Sequence, residues 1–301
     1  MNLTRTGMRI RLWQWRVVAA VTTAALTVGV AASPALGDST GAAGRGVVPP
    51  SSTVQDQTYS QWSAAQWQWE LEQPNVTNSP VVETNAGTAA QPEPVDCTLG
   101  QSGRVWFLAG ITFLQGYPTA YRSCSVPAGV FLFLPVIDVW ADDLSCPGTP
   151  PGTLTGEQLR HLVQQQTDTI EPNSMSVTID GRAVKGLTNS TTAYRAAANG
   201  FSYTLPANNA LSHFCPDNPF PAGTSPPNPP GAYADGVYIM LAPRSVGVHH
   251  ISFAATESGT PTFGPATQNV SYTITVGRDR QRRRAHNARH RSSGHPGQRR
   301  R

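Results

Sequence analysis

The sequence predicts a mostly β protein, an antiparallel β-sandwich of jelly-roll or immunoglobulin-like type with two short helices. Three observations carry this expectation. Apolar or alternating runs of strand length recur along the chain; 27 glycines and 26 prolines in 301 residues punctuate them with turns; and four cysteines follow an export leader. Short strands at turn-bounded spacing in an exported, cross-linked chain suit a sandwich rather than a helical bundle.

The leader occupies residues 1–37. Arg5, Arg9, Arg11 and Arg16 precede an apolar run over 17–32 and small residues at 35–37, the three zones of a secretory signal with cleavage before Asp38. The run is short for a membrane span, which needs about 20 apolar residues. Residues 38–57, mostly Gly, Ala, Ser, Thr and Pro, read as a flexible linker. Residues 58–276 are then one disulfide-bonded domain.

Residues 59–74, YSQWSAAQWQWELEQP, hold three of the seven tryptophans within eight positions. With Ser60 as N-cap, Trp62, Ala65 and Trp69 share one helical face and Trp67 and Leu71 form an adjoining stripe, so the helix should cover the sandwich or seal its end. The sharper reading is a sugar-stacking platform of Trp62, Trp67 and Trp69, which needs an exposed indole. Residues 104–110 and 130–136 read as buried strands. Residues 175–180 alternate and meet Asp180-Gly181, a two-residue hairpin signal. A second helix, capped by Thr155, places Leu159, Leu162 and Val163 on one face. Residues 234–243 and 248–254 follow as strands, and alternating Val270, Tyr272, Ile274 and Val276 close the domain as a half-buried antiparallel strand.

Four exported cysteines imply two disulfides. Three pairings are open, of which Cys97 with Cys124 and Cys146 with Cys215 is favoured over a thiol or zinc site, since no C-x-x-C spacing occurs.

The final 25 residues, 277–301, contain ten arginines and one acid and should form a disordered basic tail. This tail and the leader hide the character of the rest: residues 38–276 carry eight basic and 17 acidic residues, a net charge of −9. The basic whole-chain balance therefore does not make the folded part a nucleic-acid binder. The tail could touch anionic envelope polymers or lipid headgroups through salt-sensitive contacts, and it lacks aromatic residues for base stacking.

No G-x-S-x-G, H-E-x-x-H, P-loop or G-x-G-x-x-G motif occurs. Asp138, Asp142 and Asp143 follow the 130–136 strand closely, and hard oxygen ligands at that spacing suit calcium better than zinc. His249 and His250 point to opposite faces of a strand and cannot chelate together without a bulge.

The start at residue 59 resembles the YSxWSAxWWxW motif of a family of exported bacterial proteins of uncharacterised function. The similarity continues through GQSGRVWFLAG at 100–110, CSVPAGVFLFLPVID at 124–138, TIDG at 178–181 and DGVYIMLAPRSVGVHHISF at 235–253. It implies an exported β-sandwich and supplies no activity. Gln66 stands where the pattern has the first of its paired tryptophans, and His161 where relatives carry a cysteine. The expected function is a non-catalytic exported protein that binds glycan or another polymer at the cell envelope. The second reading is an extracellular hydrolase, calcium-dependent or not, that pairs the aspartate loop with His249 or His250.

Overall fold

The computed structural model describes residues 46–277, apart from 77, 83–84 and 113–117 and the side chain of residue 213. The leader, the first part of the linker and the arginine tail beyond 277 lie outside the described residues. The chain is mostly β, with two α-helices and two mixed sheets. Helix α1 (Tyr59–Leu71) is followed by β1 (Glu93–Pro94), β2 (Val105–Phe107), β3 (Thr119–Pro127) and β4 (Phe131–Ala141). Helix α2 (Gly156–Asp168) leads to β5 (Ser176–Ile179), β6 (Arg182–Ala183) and β7 (Arg195–Phe201). A 3-10 turn (Ala210–Phe214) then precedes β8 (Ala232–Leu241), β9 (Gly247–Thr260) and β10 (Gly264–Gly277).

One sheet runs β1-β3-β10-β9-β5-β6 and the other β2-β4-β8-β7. The expectation of a purely antiparallel arrangement is corrected here, because β1 with β3, β3 with β10 and β2 with β4 all pair parallel. The pattern of β4 shows why composition alone misleads: its residues are buried almost continuously from Leu132 to Ile137, which fits a strand covered on both faces. The strands β3 and β7 escaped the sequence reading. Their sequences, TAYRSCSVP and RAAANGF, are too polar or too alanine-rich to announce a strand.

Residues of both sheets, including Phe133, Tyr238, Phe253 and Tyr272, belong to one core cluster. A second cluster gathers Trp67 and Leu71 with Phe201, Tyr203, Leu211 and Phe220. Helix α1 straddles the two, since Trp62 and Trp69 pack on Phe107 while Trp67 stacks on Trp140 at 4.8 Å. Its N-cap is Thr58 rather than Ser60: the Thr58 side chain accepts from the Gln61 amide, and the Gln61 side chain accepts from the Thr58 amide in return. Thr155 caps α2 as expected, with the same reciprocal bond to Gln158.

The linker expectation also needs revision. Val47 and Val54 are buried, Val47 bridges Leu241, and the Val48 amide donates to Met240 O at 2.8 Å. Three valines among small residues suffice to pack residues 47–54 onto the domain. Both favoured disulfides are present, Cys97–Cys124 and Cys146–Cys215, and together they fit an oxidising, extracellular or envelope compartment. No described helix is long and apolar enough to cross a membrane.

Candidate functional site

The three indoles of α1 are structural in their contacts. Trp67 and Trp69 are buried, and Trp69 Nε1 donates to Leu99 O. Trp62 is half-buried, with Nε1 donating to Val54 O. Between these two apolar stripes runs a polar one, Ser63, Gln66, Glu70 and Gln73, that is fully buried as well. A sequence reading assigns such a stripe to solvent; here it meets a polar interior. Gln66 Nε2 and Thr112 Oγ1 donate to the two oxygens of Glu70. Burial raises the Glu70 carboxyl above its usual range against these bonds.

Asp138 lies inside β4 rather than in the loop after it, because β4 continues to Ala141. It pairs with Gly236 of β8, where a Cβ would sit 2.3 Å from that of Asp138. Only glycine allows this approach. The residue retains some surface, but its Oδ2 is buried. Burial first, and then the charge of Glu70, push its carboxyl well above the usual range, while the Tyr238 hydroxyl and Trp67 indole beside it pull the other way. That proximity is not alignment: Asp138 Oδ2, Trp67 Nε1 and the Tyr238 hydroxyl make no well-formed hydrogen bond. Asp142 is committed elsewhere, accepting from Tyr203, Trp140 and the Leu144 amide, and Asp143 lies against Gly152. The three aspartates expected to share a calcium ion are thus engaged separately, and no group of three or more His, Cys, Asp or Glu that could hold a metal occurs among the described residues.

His249 and His250 do diverge across the sheet. His249 is buried and its Nδ1 lies 2.9 Å from Asp180 Oδ2, while its Nε2 lies 2.9 Å from the carbonyl of Ser245 and 3.4 Å from that residue's hydroxyl. The Ser-His-Asp order resembles a hydrolytic triad. The nearer neighbour of Nε2, however, is the Ser245 carbonyl, and the hydroxyl sits at the outer limit of hydrogen-bond distance, so the serine is not held against the ring as a nucleophile would be. Asp180 instead anchors a turn. Burial raises its carboxyl, but His249, the His250 amide and Arg244 outweigh that and hold it at about 2.

The surface best built to receive a ligand is the outer face of the six-stranded sheet. A groove of about 290 Å³ crosses β3, β10, β9 and β5 there. Strand register aligns Thr178, Ser252, Ser271 and Tyr121 in one row, which strand spacing makes about 14 Å long. His250 and Thr273 form the adjoining row, with Thr273 Oγ1 3.3 Å from His250 Nδ1. Two turns wall the groove. On one side, Asp180-Gly181 takes positive φ of 51° and 77°, the hairpin geometry that the sequence predicts. On the other, Ala89 and Pro92 stand over β3. That wall can close because Gly87, at φ 62°, has no Cβ, which would lie 2.5 Å from Tyr121 O. The Cys97–Cys124 bridge fastens the chain beyond it to β3.

The row is unspent by the fold. The hydroxyls of Thr178, Ser252, Ser271 and Tyr121 make no hydrogen bond among the described residues, and Tyr121 stacks on no other ring. No Asp, Glu, Lys or Arg lines the groove among the described residues. The sequence carried a signal for this in the alternating hydroxyls of β10, SYTIT. Tyr121 was missed because its strand was missed. No protein-family model matches the chain, and no curated protein matches it.

Proposed function

We propose that this is an exported, non-catalytic binding protein that holds a glycan or a similarly hydroxylated polymer at or near the cell envelope, on the outer face of the six-stranded sheet. The carrying observation is the row of unengaged hydroxyls that ends in Tyr121, in a groove without fixed charge. A neutral, hydrogen-bonding groove with one available aromatic ring suits a ligand rich in hydroxyls, which exchanges hydrogen bonds in both directions and offers C–H faces to a ring. The export leader, the paired cysteines and the resemblance to exported β-sandwich proteins support the same reading, with the two mixed sheets acting as the two layers of the sandwich. The arginine tail would add a salt-sensitive tether to anionic envelope polymers or lipid.

The test is binding of the full-length exported protein to isolated cell-wall material and to a glycan array, beside the Tyr121→Ala variant. Loss of binding in the variant with an unchanged melt supports the proposal. Binding that survives Tyr121→Ala and Ser252→Val together would sink it.

A further inference from the structure

The turn that closes one side of the groove has a second cleft behind it. This cleft, about 470 Å³, has an apolar floor of Val47, Ile179 and Val184, all buried, and is edged by Asp180, Arg182 and Arg244. The domain is strongly acidic, yet two of its eight basic residues meet here around a single acid. That acid is already spent: Asp180 accepts from Arg244, from His249 and from the His250 amide.

The two guanidinium groups are not spent. Arg182 is exposed and pairs with no described residue. Arg244 gives one nitrogen to Asp180 at 2.7 Å, while its Nε is buried without an acceptor. A buried, unpaired N–H of a charged group is costly to leave unmade, and an anionic oxygen is the partner it lacks. Gly46 lets the Arg244 side chain settle, since a Cβ there would lie 2.4 Å from its Nη1. An apolar floor beneath two guanidiniums also strengthens their attraction for an anion relative to open water.

The cleft and the sheet-face groove share an edge. Gly181 lines the groove, and its neighbours Asp180 and Arg182 line the cleft. We propose that this cleft takes an anionic substituent, a carboxylate, sulfate or phosphate, of the polymer bound on the sheet face, so that the ligand is an acidic glycan. The inference rests on the glycan-binding reading above and names the ligand's charge. Neutral sugar units would occupy the hydroxyl row, and the acidic group would reach around the turn to Arg182 and Arg244.

The experiment compares polygalacturonate with its fully methyl-esterified form, two polymers with the same backbone and hydroxyls whose carboxyl group is an anion in one and a neutral methyl ester in the other, at 0.15 M salt of about 8 Å screening length. The proteins are full-length wild type, Arg182→Gln and Tyr121→Ala. All three share the arginine tail, so its non-specific attraction for polyanions cancels between them. The expected result is a loss of about tenfold in affinity for polygalacturonate in Arg182→Gln, the scale of one charge-assisted hydrogen bond, with the methyl ester unaffected. Sulfate at low millimolar concentration, where its general stabilising effect is small, should raise the melting temperature of wild type more than that of Arg182→Gln. Unchanged polygalacturonate affinity in Arg182→Gln overturns the inference. If Tyr121→Ala then still abolishes binding of both polymers, the sheet-face reading stands with a neutral ligand. Binding of neither polymer by wild type overturns both readings, and the sulfate melt then reports the cleft alone.

Discussion

Both faces of the four-stranded sheet are covered, by α1 on the face of Phe133 and Tyr238 and by α2 beside Arg195 and Asp235 on the opposite face, while the outer face of the six-stranded sheet holds the open groove. Helix α1 packs on β7 and β8, and α2 on β8 and β4. Around these helices the protein has buried acids: Glu70 on α1, Asp235 on β8 and Glu257 on β9 facing α2 are all almost fully inside. Each needs a partner that water would otherwise supply. Asp235 has one in Arg195, which holds both of its oxygens and also reaches Asp168. Glu257 has only Gln166 on one oxygen, and its other oxygen is buried without a partner. On the bare face the same alternation of strand residues leaves small hydroxyls in water and costs the fold nothing. The helix-packed layers spend their polar groups on holding the structure, and the bare sheet face keeps them free.

That contrast predicts large stability effects in the helix-packed layers and almost none on the bare face. Trp67→Ala removes an indole that is 1% exposed and stacked on Trp140; urea unfolding should show a loss of about 4 kcal/mol. Asp235→Ala leaves Arg195 with the exposed Asp168 and two backbone carbonyls, those of Ser190 and Gln164, as its partners among the described residues, and a loss of about 3 kcal/mol is expected. A loss under 1 kcal/mol in either variant would mean that the helices shield these layers less than their packing implies.

Glu257 sharpens the comparison through pH. Burial lifts its carboxyl to about 7, with the nearby Asp235 charge adding to the rise and the Gln166 bond opposing it. A carboxyl raised in the fold is protonated there while the unfolded chain has already released its proton, so stability is highest below about pH 4.5 and falls as pH rises toward 7. From this group alone the fall is on the order of 3 kcal/mol. Glu257→Gln keeps the bond to Gln166 and should flatten the melting temperature between pH 5 and 8; an unchanged slope would show that Glu257 is ionised in the fold at no cost.

The smallest effect belongs to the bare face. Tyr121→Ala and Ser252→Val should each shift unfolding by no more than about 0.5 kcal/mol, even where they abolish ligand binding. A larger loss would mean that these side chains support the sheet after all, and the division between the two faces would fail.

Much of this architecture was legible beforehand. The Asp180-Gly181 hairpin, the α2 cap and the half-buried alternation of β10 all follow from local rules in which neighbours along the chain determine the outcome, whereas the cysteine pairs, 27 and 69 residues apart, were one of three open pairings. The tryptophan helix was legible only in part. Its two apolar stripes were visible, but the burial of Gln66 and Glu70 was not, because polarity along a helix does not reveal what lies opposite. Asp138 was read as a loop ligand, since nothing local shows that β4 runs on past its apolar core or that Gly236 waits across the sheet to admit it.

The sequence by itself determined the strand-rich character and the acidic stretch between basic ends, because these depend on composition and on patterns within a few residues. Only the tertiary structure decided that β3 pairs in parallel with β10, that both faces of the tryptophan helix are buried, and that Thr178, Ser252, Ser271 and Tyr121 stand in one row. These four come from strands separated by up to about 150 positions, and register between distant strands is fixed by the packing of the whole core.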